Sequence, residues 1–297
     1  MRRFYIIAVL AVVLCSCNSN GPRQSSEAAL YYLKGATHNE YQKNICIIAA
    51  GQSNIDGRNA YEDMPQYIKE AMPLANTHYV KNSVTDSLTA INITNKWAFD
   101  LVTYYHIAAV ANQELYVIKW TQGGTSIDPQ GDAEAHWTAD YEKLGGGGGI
   151  SLLKEFENSI RAHVDAYGDT FDIRAMLWHQ GEGDRGDIGK GTEKRYYNNL
   201  RNMIAYVRGV VGNARLPIIA GTISHHSKQY DATIEEAQKR IAEEDPYFFL
   251  IDMSDATLQD NFHFDAVSSE YFGKMAYDKL IDAGVLDAEK LNPKRPW

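Results

Sequence analysis

Five short, almost unbroken apolar runs, separated by longer stretches with helical periodicity, limit what this chain can fold into. They are Asn44-Ile-Cys-Ile-Ile-Ala-Ala50, Leu115-Tyr-Val-Ile-Lys-Trp120, Ile173-Arg-Ala-Met-Leu-Trp178, Pro217-Ile-Ile-Ala-Gly221 and Tyr247-Phe-Phe-Leu-Ile-Asp252. Runs this short and apolar fit strands buried on both faces. Between them, residues 97–111 are mostly apolar, and Leu152, Phe156, Ile160 and Val164 recur every fourth residue. Ile234, Ala237 and Ile241 mark a third helical face, and Phe272, Ala276 and Leu280 a fourth. Strands alternating with helices predict a parallel sheet covered on both sides, in one α/β domain over residues 39–290 with a short tail at 291–297. The glycine run 145–149 reads as a flexible loop before a helix starting near Ser151.

The first sixteen residues are expected to lie outside that domain. Arg2 and Arg3 precede an apolar run from Phe4 to Leu14 that is too short to span a bilayer, followed by Leu14-Cys-Ser-Cys17. This resembles a bacterial lipoprotein signal cleaved before Cys17, which would carry the lipid. Residues 17–38 read as a polar tether, and the protein is expected at the cell envelope, periplasmic or at the surface. Loss of the two arginines moves the formal charge from −9 to −11. An acidic chain with no basic run argues against nucleic acid as a partner. No second apolar stretch approaches membrane length, so membrane contact is expected through the lipid alone. With Cys15 removed and Cys17 lipidated, Cys46 has no partner, which excludes a disulfide framework and a multi-thiolate zinc site.

Ligands of open parallel sheets bind at the carboxyl ends of the strands, so the segments that follow the runs matter most. After the first comes Gly51-Gln-Ser-Asn-Ile-Asp-Gly-Arg58, where Ser53 either exposes a hydroxyl on a tight turn or merely caps a helix. The second leads to Thr121-Gln-Gly-Gly-Thr-Ser126, whose glycines allow close backbone approach or simply make a turn. The third leads to Trp178-His-Gln-Gly-Glu-Gly-Asp184, a polar density hard to justify as packing. Past the last lies Asp260-Asn-Phe-His263, in which the carboxylate either reaches the imidazole Nδ1–H or merely caps a turn beside a surface histidine. Together these supply a nucleophile, a base, an orienter and oxyanion donors, the set needed for acyl transfer.

Three other patterns carry less. Gly181-x-Gly183-x-x-Gly186 matches a dinucleotide fingerprint, but Glu182 and Asp184 inside it would repel a pyrophosphate. Gly189-Lys-Gly191 lacks the hydroxyl residue and glycine spacing of a phosphate loop. His225-His226 point opposite ways on an extended segment and make a poor metal pair.

The four blocks resemble those of the SGNH hydrolase superfamily, in the branch of sialate O-acetylesterases and acetylxylan-esterase-like carbohydrate esterases. Residues 51–58 look like that branch's Gly-Gln-Ser-Asn-Met-x-Gly-Arg block with Ile55 for Met, and residues 123–125 like its Gly-Gly-Thr. Residues 178–184 look like its Trp-x-Gln-Gly-Glu-x-Asp, and Asp260-x-x-His263 like its terminal block. The resemblance implies a three-layer α/β/α sandwich on a five-stranded parallel sheet. It implies Ser53 as nucleophile, His263 as base and Asp260 as orienter, with Glu182 as the other candidate for the triad acid. The oxyanion hole would comprise the Ser53 amide, a glycine amide of the 123–124 pair (Gly124 favoured) and the Gln180 side chain. Gln52, Asn54, Arg58, Gly123 and Glu182 would bind substrate or support the site. The implied activity is removal of O-acetyl groups from a glycan, sialate or acetylated polysaccharide, through an acetyl-enzyme and without metal or cofactor. Alternatives are a catalytically weak glycan-binding lipoprotein and a lipase or thioesterase of the same superfamily. Trp120, Trp137 and Trp178 are candidates to pack on a sugar ring, and Arg58 and Arg185 to meet a substrate carboxylate.

Overall fold

Each apolar run becomes a strand, and the five pair in parallel. A computed structural model describes residues 43–131, 134–140 and 149–297. The expected leader and tether, with Cys17, and glycines 145–148 lie outside the described residues. In chain order the strands of the main sheet are β1 (Asn44–Gly51), β2 (Leu74–Lys81), β3 (Thr89–Ile91), β4 (Leu115–Thr121), β5 (Phe171–His179), β6 (Ile218–Gly221) and β7 (Phe248–Ile251). Their order is β7-β6-β5-β1-β4-β2-β3, parallel except for the antiparallel edge pair β2–β3. The five expected strands are contiguous, and β2 and β3 extend the sheet at one edge. β2 carries the polar stretch Asn76-Thr-His78 rather than an apolar run, because much of it stays accessible near the edge.

Besides a short helix at Gln66–Ala71, the α-helices among the described residues are α1 (Ser53–Asp56), α2 (Phe99–Tyr105), α3 (Leu152–Tyr167), α4 (Thr192–Val211), α5 (Ala232–Glu244) and α6 (Ala266–Asp282). α2 continues into a π-helical turn, His106–Val110. Strand alternation sorts the core into two layers. Ile45, Ile47 and Ala49 of β1 face Phe99 and Val102 of α2 and Phe272 and Ala276 of α6. Cys46, Ile48 and Ala50 face Phe156 of α3, Leu200 of α4 and Ile234 of α5. Each large side chain buried in this way contributes roughly 1.5–3 kcal/mol. Ser151, Asp231 and Asp265 cap α3, α5 and α6 by accepting from the amides of Lys154, Thr233 and Ser268. α4 is the helix that the sequence periodicity left unassigned. Its stripe of Tyr196, Leu200, Met203, Ile204 and Val207 is narrow among charged and tyrosine residues.

Among the described residues, no helix is long and apolar enough to cross a membrane. The parallel order brings the carboxyl ends of β1, β4, β5, β6 and β7 to one rim, where all four polar blocks emerge.

Candidate active site

The first element of the site is the sharp exit from β1. Gly51 has φ +137°, and a Cβ there would lie 2.2 Å from the His179 carbonyl oxygen, so only glycine fits. The next amide, of Gln52, donates to that same carbonyl at 2.9 Å. The chain then turns into α1, placing Ser53 at its start with 6% of its surface exposed. Asp56 at the end of α1 anchors the turn. It accepts from Lys81 Nζ (2.7 Å), Arg58 (2.7 Å) and the Thr121 hydroxyl (2.8 Å). Burial pushes the Asp56 carboxyl up, but Lys81, with Arg58 and Thr121, outweighs it and holds the group at about 2.

The glycine pair after β4 lies against this turn. Gln122 donates its amide to the Gly51 carbonyl at 3.1 Å. A Cβ on Gly123 would sit 3.5 Å from Ser53 Cβ and collide with the Arg58 guanidinium. Gly124, at φ +70°, faces open space. Among the described residues, the amides of Ser53, Gly123 and Gly124 donate to no protein acceptor.

The loop that carries Asp260 and His263 follows β7. Asp260 Oδ2 lies 2.8 Å from His263 Nδ1, and Asp260 Oδ1 accepts the amides of Phe262 (2.7 Å) and His263 (2.8 Å). Burial pushes the Asp260 carboxyl up, but these three donors more than offset it and lower its pKa. The pair leaves His263 Nε2 without a protein partner among the described residues. Asn54 ties the loop to the Ser53 turn: its Oδ1 accepts the Phe264 amide at 3.0 Å and its Nδ2 donates to Glu182 at 2.9 Å. One amide side chain thus bridges the neighbours of Ser53 and His263.

The turn after β5 has a different use from the expected one. Gln180 is fully buried, and its Nε2 donates to the Thr125 carbonyl (3.0 Å) and to Asp184 Oδ2 (2.8 Å). With both amide hydrogens committed and no face on the cavity, Gln180 is not placed as an oxyanion donor, a correction to the expectation from its block. Asp184 also accepts the amides of Ile127 (2.7 Å) and Asp128 (2.9 Å), clasping the segment that follows the glycine pair. Glu182 bonds to His179 Nε2 (3.1 Å) and Asn54, not to His263. Burial pushes its carboxyl up, but His179, together with Asn54, holds it below the usual carboxylate range. It therefore supports the Ser53 turn through Asn54, while Asp260 is the carboxylate on His263.

These elements enclose a cavity of about 340 Å³ lined by Gln52, Ser53, Arg58, Gly123, Gly124, Gln229, Phe262 and His263. Gln52 Oε1 accepts the Gly183 amide at 3.3 Å, which leaves its Nε2 with no protein acceptor among the described residues. Gln229 and Phe262 were not singled out by the sequence. Gln229 sits in an ordinary-looking polar loop, and Phe262 is masked by the Asp and His of its own block. Trp137 and Trp178 are fully buried and Trp120 packs on the core, so none of the three lines the cavity. His225 Nε2 is on Glu235 at 2.8 Å, which the Tyr230 hydroxyl also reaches. Among the described residues, no three His, Cys, Asp or Glu side chains are grouped to hold a metal.

Residues 42–282 match the protein family described as carbohydrate esterase, sialic acid-specific acetylesterase. No curated protein matches the sequence. Among solved structures, a protein from Arabidopsis thaliana superimposes with a TM-score of 0.62 at 18% identity, over 81% of this chain and 98% of that one. A carbohydrate acetylesterase from Xanthomonas citri gives 0.59 at 16% identity, over 82% of this chain and 57% of that one. NanS gives 0.53 at 12% identity, over 81% and 98%. At these identities the structural likenesses show a shared fold.

Proposed function

The chain belongs to the carbohydrate esterase family of sialic acid-specific acetylesterases, and on that premise we propose that it removes O-acetyl groups from a sugar by a serine mechanism. The observation that carries this reading is that Ser53 and an Asp260-oriented His263 line one cavity beside unbonded backbone amides. His263 Nε2 takes the Ser53 proton as Oγ attacks the acetyl carbonyl. Asp260 holds the ring through Nδ1 and stabilises the imidazolium that results. Negative charge gathers on the carbonyl oxygen, which the amides of Ser53 and Gly124 receive. Gln52 Nε2 takes the side-chain position in the oxyanion hole that the family resemblance implied for Gln180. Each donor of this kind contributes roughly 3–4 kcal/mol to the transition state. His263 then protonates the departing sugar oxygen, and water attacks the acetyl-enzyme by the same route.

Arg58 favours a carboxylated sugar within this class. Its one nitrogen is held by Asp56 and the Gly57 carbonyl, while the guanidinium borders the cavity at Gly123. An O-acetylated sialic acid would offer it a carboxylate.

The test is acetate release from a panel of O-acetylated sugars, sialic acid and xylan included. Ser53→Ala and His263→Ala are each expected to lower kcat at least about a thousandfold. Turnover by purified Ser53→Ala at the wild-type rate would sink the mechanism.

A further inference from the structure

The cavity has two sides, and the chemistry assigns them different parts of the substrate. The carbonyl oxygen must face the amides at Ser53 and the glycine pair. The leaving oxygen must face His263, which protonates it. The leaving oxygen and the ring atoms that carry it therefore lie on the His263 side, beside Gln229 and Phe262, while a carboxylate elsewhere on the sugar is free to reach Arg58.

Those two residues are set there by paired loops. Lys228 donates its amide to the Asn261 carbonyl at 2.9 Å, so the residues that follow each member of this bond, Gln229 and Phe262, emerge as neighbours. The loop before Gln229 is bonded throughout. Ser224 Oγ donates to the Ala256 carbonyl (2.6 Å), the His225 amide to Ser254 (2.7 Å) and the Gln229 amide to Ser227 Oγ (3.1 Å). Phe262 is held by its amide on Asp260, the same carboxylate that orients His263, and its ring meets the His263 ring edge-on at 6.0 Å and 74°. Among the described residues, the Gln229 carboxamide has no hydrogen-bond partner. A rigid aromatic ring beside an unbonded amide suits a pyranose, which has an apolar C–H face and a hydroxylated edge. An acetyl methyl group requires neither.

We propose that Phe262 and Gln229 form the leaving-group subsite, a platform that takes the sugar ring and sets the preference for carbohydrate over simple acetate esters. The proposal rests on the esterase reading above and adds residues that the four blocks do not contain as site members.

The experiment compares kcat/KM for the preferred member of a panel of mono-O-acetylated sugars, sialic acid included, with kcat/KM for vinyl acetate. The ratio of the two is expected to fall about tenfold in Phe262→Ala and about threefold in Gln229→Ala. Phe262→Leu keeps apolar bulk beside His263 and is expected to lower the ratio about fivefold if Phe262→Ala fails to fold. A wild-type ratio in Phe262→Leu and Gln229→Ala overturns the proposal, as does a wild-type enzyme that hydrolyses vinyl acetate with no preference for any sugar ester. Wild-type protein that hydrolyses neither ester overturns the esterase reading itself.

Discussion

β5 runs into Gln180-Gly-Glu-Gly-Asp184, and its neighbour β6 runs into Thr222-Ile-Ser-His-His-Ser-Lys-Gln229. Both segments are polar and both leave the sheet at the same rim. In the first, Gln180, Glu182 and Asp184 are at most 1% exposed and their hydrogen bonds end on protein. In the second, the backbone is bonded and Gln229 presents its amide to the cavity. The difference lies in what covers each segment. The chain after β4 closes over the β5 turn so tightly that a Cβ on Gly183 would lie 2.1 Å from the Thr125 carbonyl. Gln229 is only partly buried among the described residues. Dense polarity after a strand thus marks groups that must find partners, and burial decides whether those partners are protein or ligand.

The largest test of this contrast is Asp184→Ala. It would strand two backbone amides and the Gln180 side chain in the interior, so unfolding in urea at pH 7 should show a loss of about 3–5 kcal/mol. A loss below about 1 kcal/mol would mean that the clasp is not structural. Next in size is the exchange of roles between two glutamines. Gln52→Ala should lower kcat about a hundredfold with little change in melting temperature. Gln180→Ala should lower the melting temperature and affect kcat less than Gln52→Ala does. The reverse pattern would restore Gln180 to the oxyanion hole.

A smaller effect is expected where Asn54 joins the Ser53 turn to the His263 loop. Asn54→Ala should reduce kcat about 10–30-fold at nearly constant KM, since it loosens the placement of His263 relative to Ser53 without touching the cavity wall. Equal changes in kcat and KM would instead make Asn54 a substrate contact. Smallest is the pH response of Asp56, measured as the difference in unfolding free energy between wild type and Asp56→Asn. The folded pKa of about 2 lies below the ordinary 3.8. The contribution is therefore complete above about pH 4 and disappears as pH falls through about 2. A difference that stays constant from pH 5 to 2 would show that Lys81, Arg58 and Thr121 do not stabilise the carboxylate.

Much of the fold was legible because its determinants are local. A strand buried on both faces must be apolar along its length, and β1, β4, β5, β6 and β7 announce themselves in this way. β2 and α4 did not, because each exposes a broad face and draws its stability from distant partners. Cys46, a position in the first apolar run, is a fully buried residue of β1. In the site, Ser53, the glycine pair and Asp260-x-x-His263 were readable from a few adjacent residues. Their geometry is set by the short turns that contain them.

The sequence by itself determined the layer architecture, the family and most residues of the candidate site, since periodicity, turn chemistry and adjacent spacing are properties of short segments. Only the tertiary structure decided which of several polar side chains reach the cavity. It turned Gln180 inward to Asp184, set Glu182 behind Asn54 and brought Gln229 beside Phe262. Those outcomes depend on which loop covers which strand end, across separations of 55 residues between Gln180 and Thr125 and 128 between Asn54 and Glu182. A hydrogen-bond donor has the same chemistry whether it meets a carbonyl or a ligand, so its use is fixed by burial, which no short segment encodes.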